Sequence, residues 1–293
     1  MLRGYEHALK HRILPDLGGA RLGDIHRLDV QDFADRLLAK GLDPSTVRNA
    51  LMPLRALCRR ALMRGDIAIN PTMGLELAAA RGRRERTATP IEMERLIAVL
   101  PLADRALWAT AFYAGPRLGE LRALTFADLD LNAEPCALLR VERSWDPKAG
   151  IIDPKSRAGT RTVPVLDHLR RILREHRLAL GRSDGLVFGR SAERPFNPSS
   201  IYRRAFLAWE TAGLEPIRLH ECRHSFVSLW HDAGVSLDRI GDYAGQSSSG
   251  ITNRYRHLRD GRRADDAALV NDYLARELAR GAANVGASVV SGA

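Results

Sequence analysis

Two long stretches of helical periodicity enclose one short interruption of β texture, and this alternation limits what the chain can fold into. Ala137–Arg143 and Arg161–Val165 are short runs of β-forming residues set between Gly- and Pro-containing turns. Two such runs point to a small antiparallel sheet. The expected fold class is mainly α with a small antiparallel β-sheet, an α+β arrangement.

The helical stretches carry their own punctuation. From His26 to Lys40 the apolar residues Leu28, Val30, Phe33, Leu37 and Leu38 recur at helical spacing until Gly41 stops them. Pro44-Ser45-Thr46 opens a longer helix through Val47, Leu51, Leu54, Leu57, Cys58 and Leu62, which ends near Gly65. A later segment starts at Thr89-Pro90, with Thr89 as N-cap and Pro90 at the first helical position. Helices continue to about Tyr113, and another follows Gly115-Pro116 over Arg117–Leu124. After the β runs, helices are expected near 167–180, 198–213, 220–233, 236–244 and 262–279.

Between the first and second helical groups lies Arg81-Gly-Arg-Arg-Glu-Arg86, the densest charge run in the sequence. Runs of this kind are usually solvated and mobile. The chain therefore divides into a helical first domain (1–78), a basic linker (79–88), a second domain (89–280) and a small-residue, non-periodic tail (281–293) expected to be flexible.

Composition narrows the function classes. At 293 residues there is material for two modest domains, each with its own core. No apolar run approaches the roughly 20 residues needed to cross a bilayer. The first residues lack the apolar stretch of a signal peptide, so the expected location is cytoplasmic with no membrane partner. Three dispersed cysteines, Cys58, Cys136 and Cys222, argue against a disulfide framework or a structural zinc site. A net charge of +10 points to a polyanionic partner, with nucleic acid the first candidate. Only four of the 45 Lys and Arg residues are lysine (Lys10, Lys40, Lys148 and Lys155). Any lysine in a suggestive place matters, because Lys can release its proton and Arg cannot.

Breaking a phosphodiester without a metal needs fixed cationic donors for the non-bridging oxygens, an in-line nucleophile and an acid for the leaving oxygen. Three segments supply candidates. In Gly115-Pro116-Arg117-Leu118-Gly119-Glu120, Gly-Pro ends one helix and places Arg117 at the start of the next. Backbone N–H groups there favour a phosphate. Glu120, three residues on, can hold the Arg117 guanidinium in place. In His220-Glu-Cys-Arg223-His224, His220 and Arg223 share a helix face, with Leu219, Phe226 and Leu229 available to anchor it. The third segment runs from Tyr243-Ala-Gly245-Gln246 to Arg254-Tyr255-Arg256-His257. Each alone is weak: an Arg-x-x-Glu is most often a surface ion pair, and Tyr202 or Tyr273 reads simply as packing.

Together and in this order, the three segments resemble the tyrosine recombinase (phage integrase) family, marked by Gly-x-Arg-x-x-Glu, His-x-x-Arg and a Gly-His loop ahead of a nucleophilic Tyr. The matching positions are Arg117 with Glu120, His220 with Arg223, and Gly245 to Tyr255. Lys155, in Pro154-Lys-Ser-Arg-Ala-Gly-Thr-Arg-Thr-Val-Pro-Val165, looks like the family's β-hairpin lysine; Lys148 is the competing candidate. Residues 5–73, with Pro44-Ser-Thr-Val47 and Asn70-Pro71, look like the family's helical core-binding domain, so the likeness spans nearly the whole chain.

The resemblance implies a site-specific DNA recombinase or integrase that clamps duplex DNA between a core-binding and a catalytic domain. Tyr255 would attack the phosphate to form a 3′-phosphotyrosyl link. Arg117, Arg223 and His220 would stabilise the charged intermediate, with Gln246 assisting and Lys155 protonating the 5′-oxygen. Glu120 would support Arg117, while Arg81, Arg83, Arg84, Arg86, His224 and Arg254 would meet DNA. No metal or cofactor is implied. The implied assembly is a homotetramer on two DNA sites, with an accessory DNA-bending protein as a further partner.

Two positions depart from the pattern. Gln246 stands where the family usually has His or Trp; its amide can donate to phosphate but carries no charge. The chain also reads as N-terminally short, beginning inside the core-binding domain without the family's usual first helix or a separate arm-binding domain. Two alternatives stand beside the recombinase reading. One is a DNA-binding protein of the same fold that has lost catalysis, and the other is a type IB topoisomerase-like relaxing enzyme.

Overall fold

The structure, a computed structural model, describes residues 2–79, 86–153, 159–245 and 263–290. The chain forms two compact units, Met1–Arg84 and Glu85–Ala293.

The first unit is helical. It opens on α1 (Leu2–Ala8), which continues through a π-helical stretch (Leu9–Ile13) into α2 (Leu14–Leu17). The sequence reading starts its helices only at His26. Yet Tyr5, Leu9, Ile13 and Leu17 recur every fourth residue, and Ala8, Ile13 and Leu17 are buried. Next come α3 (Arg27–Ala39) and α4 (Pro44–Arg64), within a residue of expectation. Asp43 caps α4 by accepting from the Ser45 backbone N–H at 2.8 Å, and Pro44 takes the first helical position. Val30, Phe33 and Leu37 of α3 interlock with Val47, Leu51, Leu54 and Cys58 of α4 to form the core. Leu57 and Leu62, read as part of the apolar stripe, are instead exposed, because the buried stripe of α4 follows 47, 51, 54, 58 and 61.

The second unit is built around α6 (Leu102–Ala114), which is buried almost all round, as a helix apolar on every face must be. Trp108 of α6 lies edge-on to Trp209 of α9 (Pro198–Thr211), with ring centres 4.8 Å apart. Trp209 in turn donates to the Leu96 carbonyl of α5 (Pro90–Ala98) at 2.9 Å. Tyr202 packs edge-on to Trp108, so its role is packing.

The β interruption is antiparallel, as expected. It forms a three-stranded sheet in the order β1 (Leu129–Asp130), β2 (Ala137–Val141), β5 (Arg161–Val165), with Leu139 opposite Val163. A second hairpin, β3 (Ser144–Asp146) with β4 (Gly150–Ile152), was not read from the sequence because three-residue strands are too short to show alternation. Strand β3 lies against α7 (Leu118–Ala123) at Gly119, where an added Cβ would meet Ser144 Oγ at 2.3 Å. Arg122 of α7 sits over the half-buried Trp145 ring at 5.7 Å. The remaining helices are α8 (Asp167–Leu180), α10 (Leu219–Asp232), α11 (Leu237–Ala244) and α12 (Arg263–Val290).

Most of the tail expected over 281–293 is helical, since α12 runs on to Val290. Ala282, Ala283 and Ala287 are strong helix formers. Gly281 also lies so close to α5 that a Cβ there would meet Ile91 at 2.9 Å. Residues 291–293 lie outside the described residues. Earlier in α12, Val270 and Leu274 enter the core, and the Asn271 side chain accepts from the Asp167 backbone N–H at 3.1 Å, capping α8.

Docking of α12 rests on that buried stripe. Leu274→Ala should lower unfolding stability by about 2–5 kcal/mol, read as a lower urea midpoint. Leu269→Ala, at a position 43% exposed, should shift stability by no more than about 0.5 kcal/mol.

Candidate active site

Helix α6 ends at Gly115 in a left-handed turn (φ 64°), where a Cβ would also strike the Phe226 ring at 2.7 Å. Only glycine meets both demands. The turn delivers Arg117 to the N-cap of α7. Glu120, one turn on and only 8% exposed, accepts twice from Arg117: from its backbone N–H at 2.7 Å and from Nη1 at 2.9 Å. The proposed pairing of these two side chains is therefore present as geometry.

A third residue shares that carboxylate. Arg161, the first residue of β5, donates from Nη2 to Glu120 Oε2 at 2.7 Å and from Nη1 to Oε1 at 3.1 Å. Burial pushes the Glu120 carboxyl up, but hydrogen bonds and charge from Arg161 and Arg117 outweigh it and hold its pKa below the ordinary Glu value. Sequence reasoning quoted Arg161 but gave it no role. A signal was available: Arg161, Val163 and Val165 alternate onto the buried face of β5, and a charge on that face requires a partner.

The segment holding His220 and Arg223 arrives on α10. Leu219, Phe226 and Leu229 are buried, as expected. Arg223 is 3% exposed and donates from Nη1 to the Gly115 carbonyl at 2.7 Å and from Nη2 to the Ala244 carbonyl. Burial, then the charges of Arg117 and Arg161, lower its pKa to about 10, so it remains charged at neutral pH. His220 is exposed on the first turn of α10, and its ring meets the half-buried His224 ring edge-on at 4.8 Å.

Both segments converge on the end of α11. Its last carbonyls are left over by helix geometry, and three arginines take them in succession: Arg161 Nε at Tyr243 O (2.7 Å), Arg223 at Ala244 O, and Arg117 Nη2 at Gly245 O (2.8 Å). Three guanidinia thus gather around one carboxylate and one helix C-terminus, and Arg117, the exposed one of the three, presents a positive charge able to meet a phosphate. On the far side of α11, Tyr243 donates its hydroxyl to Asp266 Oδ2 of α12 at 2.5 Å, and Arg239 pairs with the other oxygen. Asp266 is fully buried and, like Arg161, was missed; it shares the buried stripe of Val270 and Leu274.

Several predicted residues fall outside the described ones: Lys155, Gln246, Arg254, Tyr255, and the linker residues Arg81, Arg83 and Arg84. Lys148 is described and exposed, in the β3–β4 turn. Arg86, expected in a solvated linker, has a side chain only 12% exposed; it pairs with Glu92 and donates to the Glu215 carbonyl at 2.8 Å. A cavity of about 830 Å³ lies among α5, α6, α8 and α9, shares no residue with the arginine cluster and is lined by apolar and charged side chains together. Among the described residues there is no grouping of His, Cys, Asp and Glu able to hold a metal, and no helix long and apolar enough to cross a membrane.

With that geometry in place, comparison with known proteins decides the family. Residues 87–262, more than half of the chain, match the family model described as "Phage integrase family", and residues 2–38 match "Phage integrase, N-terminal SAM-like domain". The chain belongs to the phage integrase family. Relatives from Mycobacterium tuberculosis that bear the name prophage phiRv2 integrase are 30% identical over 224 residues, 74% of this chain. The chain spans 60% of the length of those relatives. An integrase of Saccharopolyspora erythraea is 26% identical, covering 93% of this chain and 77% of that protein. Among solved structures, the Tn1549 transposon integrase in complex with transposon right end DNA superposes with a TM-score of 0.73 at 18% identity, covering 89% of this chain and 93% of that one. A lambda integrase dimer bound to a core site gives 0.61 at 18% identity, covering 84% and 88%. These structural likenesses establish the mainly helical fold with small antiparallel sheets.

The Glu120 network fixes a pH dependence. Because its folded pKa is depressed, Glu120 contributes stability above the ordinary Glu value of about 4.3, and that contribution is lost as pH falls through the lower folded value. Glu120→Gln should therefore lower the thermal midpoint at pH 7. The gap to wild type should narrow as pH drops below about 4.3, the ordinary Glu pKa. A gap unchanged with pH would contradict the assignment.

Proposed function

We propose that this phage integrase family member is a site-specific DNA recombinase that cuts and rejoins duplex DNA through a 3′-phosphotyrosyl intermediate. The observation that carries the reading is the convergence of Arg117 and Arg223 on the end of α11, from which the chain leads directly to Gln246 and Tyr255.

In this reading the phosphate meets the guanidinium N–H groups that Glu120 and the α11 carbonyls leave open. Arg117, 46% exposed, is the more accessible of the two. The Tyr255 phenolic oxygen attacks phosphorus, the bond to the 5′-oxygen breaks, and Lys155 supplies that oxygen with its proton. His220, exposed beside Arg223, adds a hydrogen bond to the phosphate and accepts the phenolic proton. Gln246 contributes an uncharged donor. Because the phosphotyrosyl bond stores the energy of the broken linkage, a 5′-hydroxyl can attack it in reverse and no nucleotide cofactor enters.

The whole assembly follows the same reading. Met1–Arg84 serves as the core-binding domain and Glu85–Ala293 as the catalytic domain, closing around duplex DNA in the cytoplasm. Arg81, Arg83, Arg84, His224 and Arg254 meet the backbone, while Arg86 serves the fold. Four protomers on two sites, assisted by an accessory DNA-bending protein, carry out exchange. Relatives and solved neighbours named integrase, several of them bound to DNA, support this reading.

The test is covalent capture on nicked duplexes tiled across the DNA that flanks the gene. Wild type should form a protein–DNA adduct and Tyr255→Phe none, while Arg223→Ala should slow capture about 10²–10³-fold. An adduct that persists in Tyr255→Phe removes Tyr255 from its role. Specific binding without any adduct favours the non-catalytic alternative raised by Gln246, and relaxation of site-free plasmid favours a topoisomerase-like activity.

A further inference from the structure

We infer that Arg161 is a positioning residue that aligns Arg117 for the reaction, acting through the shared carboxylate of Glu120. The inference rests on the recombinase reading given above and adds to it a residue outside the proposed set of phosphate-binding groups.

The geometry is specific. The Arg161 side chain is 5% exposed, so it is not offered to DNA. Its fork spans both oxygens of Glu120, and Glu120 uses the same two oxygens to hold the backbone and the Nη1 of Arg117. The carboxylate is therefore fixed from the rear by one guanidinium and holds another in front. Arg161 also donates from Nε to the Tyr243 carbonyl, which registers β5 against the end of α11. One buried side chain thus sets the relation between α7, where Arg117 resides, and α11, where Arg117 finds its second acceptor at Gly245.

A lysine could not do this. A single ammonium keeps the charge but cannot present a planar fork to two oxygens and a third N–H to a carbonyl. With the fork gone, Glu120 is free to rotate toward Arg117, and the Arg117 guanidinium loses its fixed direction. Reaction rates respond steeply to misplacement of this kind: about 1 Å can cost roughly 100-fold.

Arg161 also lies six residues from Lys155 along the chain, so its effect could instead run through the leaving-group acid. The experiment separates the two. Capture rates are measured under single turnover, at saturating protein, on the nicked duplex that wild type captures and on the same duplex with sulfur replacing the 5′-bridging oxygen. A thiolate departs without a proton, so the sulfur substrate makes the acid unnecessary.

Arg161→Lys should slow capture about 100-fold on the oxygen substrate, with duplex affinity and far-ultraviolet circular dichroism unchanged, and should remain equally slow on the sulfur substrate. Recovery of the wild-type rate with sulfur would assign Arg161 to the acid and overturn the inference, as would an undiminished rate with oxygen. Should Arg161→Lys unfold, Glu120→Gln on both substrates gives the same discrimination, because it removes the carboxylate while keeping its shape. Where both variants fold, Arg161→Lys combined with Glu120→Gln should be no slower than the slower single variant, since the two act as one unit; multiplied losses would overturn the shared path. A wild type that captures no duplex rejects the recombinase reading itself, whereas wild-type capture with unimpaired Arg161 variants rejects only this inference.

Discussion

A single buried carboxylate organises the unit Glu85–Ala293. Glu120 is nearly inaccessible, and an ionised carboxylate in that position is tolerable only because two guanidinia and a backbone N–H meet it. Those partners come from the N-cap of α7 and from β5, where Arg161 lies 41 residues from Glu120 along the chain. Removing either guanidinium would leave the buried charge only partly compensated. The turn at Gly115, the approach of β3 at Gly119 and the alternation of β5 can all be understood as backbone conditions for bringing these groups to one point.

The second constraint is the end of α11. A helix C-terminus normally leaves carbonyls to water or to a capping glycine. Here Gly245 provides the left-handed cap, while guanidinia from three elements occupy three successive carbonyls. The arrangement links a secondary-structure requirement with a chemical one: donors that complete the helix end are the same kind of donors that a phosphate needs. Asp266, held between Tyr243 and Arg239, ties the start of α12 to the opposite side of the same helix.

Much of this was legible in the sequence. Helices with strong punctuation, such as Asp43-Pro44 to Gly65 and Thr89-Pro90 onward, were located within a few residues because capping and breaking residues act locally. Arg117 with Glu120 and the anchoring of α10 by Leu219, Phe226 and Leu229 followed from helix spacing. What escaped was charge on buried faces. Arg161 and Asp266 sit in the apolar registers of a strand and a helix, where their partners come from 41 and 23 residues away, and no local pattern identifies such partners. The extension of α12 past Gly281 escaped for a related reason: the glycine reads as a stop until Ile91, nearly two hundred residues earlier, is seen against it.

The hairpin of β3 and β4 has an optical consequence. All four tryptophans, Trp108, Trp145, Trp209 and Trp230, lie in Glu85–Ala293. Trp108, Trp209 and Trp230 are fully buried in its core, and the Trp230 ring packs on Tyr243 of α11 with centres 5.2 Å apart. Trp145 is only half-buried, rests on α7 at Gly119 and lies beneath Arg122, two residues beyond Glu120. This one indole is therefore the most open to solvent of the four, and its emission gives the protein an intrinsic reporter for the β3–β4 hairpin without any added label.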